Sequence, residues 1–123
     1  MAKTESVEIQ MAEILDTVSR RVKGVLETDS MEVAKETVQK LKNTSPKKYG
    51  DYARGWKVSK KERGSLVVHN ATDYQLTHLL ENGHVIRNKK GTYGRTNGIK
   101  HIEPAEEWAS DEFPRRIMED LDL

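Results

Sequence analysis

A chain of 123 residues, 35% hydrophobic and 33% charged, is long enough for one domain with a modest core and too short for two comfortable ones. It has no cysteine, which excludes disulfides and thiolate metal sites, and no run near the roughly 18 apolar residues of a membrane span. The net charge of +1 hides a segregation: residues 35–100 hold 15 basic and 5 acidic side chains while the two ends hold 6 and 15, which favours contacts between unlike faces or a basic face toward phosphate.

The N-terminus lacks the apolar stretch of a signal peptide, so a soluble protein made in the cytoplasm is expected. Val7, Met11, Ile14, Val18, Val22 and Val25 recur every three or four positions, and Leu15 and Leu26 widen the stripe, which predicts a helix over residues 5–41. Gly24 and the Thr28-Asp29-Ser30 stretch permit a break near residue 28, where Asp29 and Glu32 have the spacing of a capping box for a second helix in line. Val33, Thr37, Val38 and Leu41 then carry the period on until Pro46 ends it. The stripe has two uses open to it. An amphipathic face ordinarily packs on its own domain's core, yet this helix is longer than so small a core requires, and its surplus is available to another subunit.

Residues 51–58 read as extended, with Tyr52, Trp56 and Val58 on one face, and residues 65–69 as a clearer strand; the polar link between them, with Gly64 near its end, suits a hairpin. Thr72 and Gln75 have capping-box spacing for a helix that presents Leu76, Leu79 and Leu80 and stops at Asn82-Gly83. Residues 84–86 and 99–102 are short strand candidates flanking a flexible basic loop over residues 87–98. The last helix starts at Pro104, buries Ala105 and Trp108, and is kinked or restarted by Pro114 before Ile117, Met118 and Leu121. The fold class is α+β in a single domain: an N-terminal helical region over residues 1–43, a small antiparallel sheet, and a short central helix and C-terminal helix packed on it.

Side chains for chemistry are sparse. His78, Glu81 and His84 fall three apart and His101 can join them if the flanking strands pair, but the spacing is not that of the zinc proteases, and a polar rim where a helix meets a sheet is the plainer reading. No nucleophile elbow or phosphate-binding loop is present, and the glycines at 91, 94 and 98 have the spacing of a flexible loop. No catalytic residue, metal or cofactor is expected. Arg87, Lys89, Lys90, Arg95 and Lys100, with Tyr93 among them, admit three readings: phosphate and base contacts on nucleic acid, a solvated loop, or a segment that orders against an acidic surface of a neighbour. Glu103, Glu106, Glu107, Asp111 and Glu112 supply an acidic face of that kind.

The order of these parts resembles one family. A long helix runs into Lys-Asn-Thr-Ser-Pro at 42–46 and then Gly-Asp-Tyr-Ala-Arg-Gly-Trp at 50–56. A strand ending His-Asn-Ala-Thr at 69–72 leads to Tyr74 and the Leu-Leu-Glu-Asn-Gly-His turn at 79–84, and a loop precedes His-Ile-Glu-Pro-Ala at 101–105. Over about residues 30–121 the sequence is similar to the minor tail components of siphophages and prophages, whose members complete the tail or join it to the head. The resemblance implies an α+β fold and a ring of six subunits at the neck or upper tail of the virion. Its implied partners are other neck and tail proteins: connector, tail terminator or tail tube. It brings no cofactor and no catalytic residue, and no membrane; DNA contact is allowed but not required. The basic insertion from Arg87 to Lys100 departs from the family pattern and leaves partner choice open. The competing function is a small nucleic-acid-binding regulator that uses the basic middle, with steep salt dependence as its signature.

Overall fold

The computed structural model describes residues 2–47 and 50–123, and their side chains except those of 2–9 and 88. Helix α1 (Ala2–Thr44) is continuous, with no break at residue 28. The expected capping box fails because Asp29, at 2% exposure, is not at a helix end but on the packed face of the helix, where α4 (Ile102–Asp120) covers it. Gly24 costs a helix interior about 1 kcal/mol and is tolerated within a rod this long. Asp29, Val33, Ala34, Thr37 and Leu41 are buried, whereas residues 10–20 are exposed all round. The part of the stripe before residue 21 therefore does not pack on the body, and the Val7 side chain lies outside the described residues. The helix ends where Ser45 donates its backbone N–H to the Leu41 carbonyl at 2.9 Å, one residue before Pro46.

The stretch expected to be extended from residue 51 begins instead as a short helix, α2 (Gly50–Arg54), which buries Tyr52 and Ala53. Strands β1 (Trp56–Lys60) and β2 (Leu66–Asn70) follow as an antiparallel hairpin in the register Trp56↔Asn70 to Lys60↔Leu66. Its turn needs positive φ, supplied by Arg63 at 62° and Gly64 at 79°. Beyond it Asn70 organises the chain: its side-chain oxygen accepts the N–H groups of Thr72 and Asp73, and its amide donates to the Tyr52 carbonyl at 2.7 Å. Thr72 is spent on the Asp51 carbonyl, so it does not cap the next helix as its spacing from Gln75 had suggested. A single 3₁₀ turn, Tyr74–Leu76, leads into α3 (Thr77–Asn82), and Gly83 ends it at φ 80° with its N–H on the Leu79 carbonyl, as predicted.

Strand β3 (Gly83–Asn88) pairs antiparallel with β4 (Gly91–Asn97), so the sheet consists of two separate two-stranded ribbons. Residues 99–102 are not the partner strand: the Ile99 N–H goes to the Leu80 carbonyl at 2.8 Å, and Ile102 already opens α4. Gly98 lies so close to the end of α3 that any Cβ there would collide with the backbone of Glu81 and Asn82. Helix α4 starts two residues before Pro104 and runs through Pro114 without restarting. Ser110 and Pro114 are both exposed, so the carbonyl deprived of its donor sits on the wet side of the helix. The core is Leu41, Tyr52, Trp56 and Ala105, with Val38, Val68, Leu76, Leu80 and Ile102 packed around it. The class is α+β, with α1 and α4 side by side and the β1–β2 hairpin against α1. Among the described residues no helix is long and apolar enough to cross a membrane.

Candidate assembly surfaces

The residues with the richest chemistry are buried and committed to the fold. Glu81 accepts the backbone N–H groups of His101 and Ile102 at 2.8 Å and of Glu103 at 2.9 Å. A helix leaves its first four N–H groups without partners, and here the fourth position is Pro104, which has none to satisfy. Glu81 thus caps the whole N-terminus of α4 from another element, and its negative charge suits the positive end of the helix. Burial alone would raise its pKa, but these three N–H donors and the His101 ring hold it below the ordinary 4.5. His101 Nδ1 lies 2.6 Å from the Ile99 carbonyl and 3.0 Å from Glu81, and Nε2 lies 2.7 Å from the Tyr52 hydroxyl. Those partners suit an imidazole that donates from Nδ1 and accepts the tyrosine O–H at Nε2. Burial, then the nearby Glu81 charge, push the Tyr52 phenol up to about 12, which keeps that proton in place. Tyr52, Trp56 and His101 stack edge to face at 5.6 to 6.3 Å, and the indole N–H donates to Ser45 Oγ at 2.8 Å.

Of the four residues weighed as metal ligands, only Glu81 and His101 meet. His78 is exposed, and the His84 ring is 3.0 Å from the Thr96 hydroxyl. Among the described residues no group of three His, Asp or Glu side chains is placed to hold a metal ion. A second polar seam joins α1 to α4. Arg116 reaches Glu36, Glu32 at 3.8 Å and Glu112 at 3.2 Å, and Arg115 pairs with Glu112 and with Glu119 at 2.6 Å. Buried beside it, Asp29 is pushed up to about 6 by desolvation and by the carboxylates of Asp120 and Glu32, against the lowering pull of Arg116.

The exposed surfaces are sorted by charge. The β3–β4 ribbon and its exit carry five basic side chains and no acid between Gly83 and Lys100. Arg87 stands on β3, Lys89 and Lys90 form the turn, and Tyr93, 58% exposed, and Arg95 stand on β4. Most of the stretch expected as a loop is thus ribbon, with Gly91 and Gly94 at positive φ easing its irregular register. Arg95 donates to the Asn82 carbonyl at 3.1 Å and Lys100 to the Asn82 side chain at 2.6 Å, so both are tied to the ribbon's root. On α4, Glu103, Glu106, Glu107 and Asp111 gather around one shallow depression with Ser110. Glu112 does not join them: it is half-buried and turned to Arg115 and Arg116.

Two apolar features complete the surface. Met11, Ile14, Leu15 and Val18, each 53 to 65% exposed, line one side of the overhanging end of α1. On the body, an open groove of about 880 Å³ runs between the second half of α1, the β1–β2 hairpin and α4, with Val33, Leu41, Val68, Ile102 and Phe113 among its walls. The stripe was visible as a period in the sequence. The groove was not, because it takes three elements distant in the chain to build it. Nothing among curated proteins or solved structures matches the chain significantly. A family model described as "Bacteriophage HK97-gp10, putative tail-component" matches residues 9–83, from the exposed arm of α1 to the Gly83 cap of α3 and well over half of the sequence. The chain belongs to this HK97-gp10-like family of phage tail components.

Proposed function

We propose that the protein is a non-enzymatic part of the virion that completes the tail or joins it to the head by assembling as a ring at the neck. The observation that carries this reading is the division of labour among its polar groups. Tyr52, Glu81 and His101 are consumed inside the fold, while the unlike charges and the apolar stripe of Met11, Ile14, Leu15 and Val18 face outward. Surfaces of opposite charge on one subunit favour head-to-tail pairing and disfavour like-to-like contact. A contact between two different patches closes into a ring when the rotation per subunit divides a full turn, and six subunits is the number the family resemblance implies. In this arrangement the basic ribbon (Arg87, Lys89, Lys90, Tyr93, Arg95, Lys100) docks, already formed, against an acidic surface of a neighbour, such as Glu103, Glu106, Glu107 and Asp111 of the next copy. Glu112 belongs to the α1–α4 seam rather than to that face. The remaining partners are neck and tail proteins of the same particle. A nucleic-acid regulator draws no support from the family match, whose description is of a tail component.

The test is complementation of a phage lacking the protein with a chain deleted of residues 88–97. The shortened protein is expected to fold, since the core lies elsewhere, and to leave heads and tails unjoined. Virion yield equal to that of the intact chain would remove the ribbon from the assembly role.

A further inference from the structure

We infer that the overhanging arm of α1 seats its apolar stripe in the groove of a second copy of this chain. The inference rests on the ring reading above and names the contact that builds it. Met11, Ile14, Leu15 and Val18 sit at i, i+3, i+4 and i+7, the spacing by which one helix lays a face into a hydrophobic groove. Four large apolar side chains more than half exposed form a patch of the kind that marks an interaction site. The body carries the counterpart, a groove of about 880 Å³ whose walls include Val33, Ala34, Leu66, Val68 and Ala109.

The arm cannot fill its own groove. Residues from Lys23 to Leu41 of α1 form one wall, and the arm is the unbroken continuation of that same rod. The arm that enters therefore comes from another molecule. The flanks do not oppose the fit. Ala12, Thr17 and Ser19 border the stripe, whereas Glu13, Asp16 and Arg20 stand on the opposite face of the arm, Asp16 and Arg20 paired with each other, so none of these three charges is driven into the groove between Lys23, Glu27, Arg63 and Glu106. Such a contact leaves the first molecule's groove and the second molecule's arm free, so each addition exposes the next site until a ring closes.

The chain has no cysteine, so introduced thiols report unambiguously. Leu15→Cys and Ala109→Cys are prepared as single variants and oxidised alone and mixed, both as concentrated full-length protein and in tails from cells that express the two together. Ile14→Cys with Leu66→Cys repeats the test at a second pair of positions. A disulfide-linked dimer is expected in each mixture and in neither Ala109→Cys nor Leu15→Cys alone, and one chain carrying both thiols should give a ladder of linked oligomers. No linked dimer from either mixture overturns the inference. So does a dimer from Leu15→Cys alone, which would put two arms side by side. Detection of the unmodified protein in purified tails tests the tail reading separately: presence without cross-links defeats only the inference, and absence defeats that reading whatever the thiols show.

Discussion

Glu81 shows how much one carboxylate does in this fold. With it in place the three free N–H groups at the start of α4 are all answered; without it the buried His101 N–H and the part-buried Ile102 and Glu103 N–H groups lose their partner, the buried one costing about 1 to 3 kcal/mol and the others up to that. Glu81→Ala is therefore expected to destabilise the protein by about 3 kcal/mol or more, read as a lowered urea midpoint, and Glu81→Gln by less because one acceptor oxygen survives. Glu81 and Asp29 act oppositely with pH. The folded pKa of Glu81 is depressed, so its stabilisation is present above its ordinary 4.5 and is lost as pH falls through the folded value. That of Asp29 is raised, so the folded state holds the extra proton and stability declines as pH rises from 3.8 to about 6. Asp29→Asn should abolish that decline and raise the unfolding free energy above pH of about 6; an unchanged profile in urea titrations across pH would show that Asp29 is not strained. Neither role was legible in the sequence. Glu81 caps N–H groups some twenty positions away, and Asp29 mimicked a local cap because its spacing from Glu32 is the same whether it ends a helix or faces one.

At the scale of elements, periodicity located α1, α3 and the first hairpin, and the Gly83 stop was read correctly. Period alone reports that a face is apolar without saying what covers it, so it could not tell the packed half of α1 from the free half. The misplaced elements share another cause. Residues 51–54 became helix because Tyr52 must turn inward to meet His101 and Trp56, a tertiary demand with no local pattern, and β4 was missed because its Thr, Tyr and Arg side chains are all on a polar, exposed ribbon. The free half of α1 makes its own prediction. Ile14→Ser with Leu15→Ser should change unfolding free energy by no more than about 0.5 kcal/mol each, as for surface positions, whereas Leu41→Ala should cost about 2 to 5 kcal/mol. Amide hydrogen exchange should likewise be fast over residues 10–20 and slow over residues 33–41, where α4 and the hairpin cover the helix.

For the whole molecule, the segregation of charge read from the sequence survives in three dimensions as a basic ribbon and an acidic depression on separate elements. Self-association of the purified protein should accordingly weaken as salt rises, seen as a falling mass in sedimentation, and Lys89→Glu with Lys90→Glu should weaken it at low salt. Constant mass across salt would show that opposite charge does not hold copies together. The length of α1 has a mechanical consequence. A rod of 43 residues is about 65 Å long, and a tilt of about 10° where its body end is held swings a free end of about 30 Å through about 5 Å. A small tilt at the α1–α4 contact is thus converted by length alone into a displacement of several ångströms at the far end of the arm.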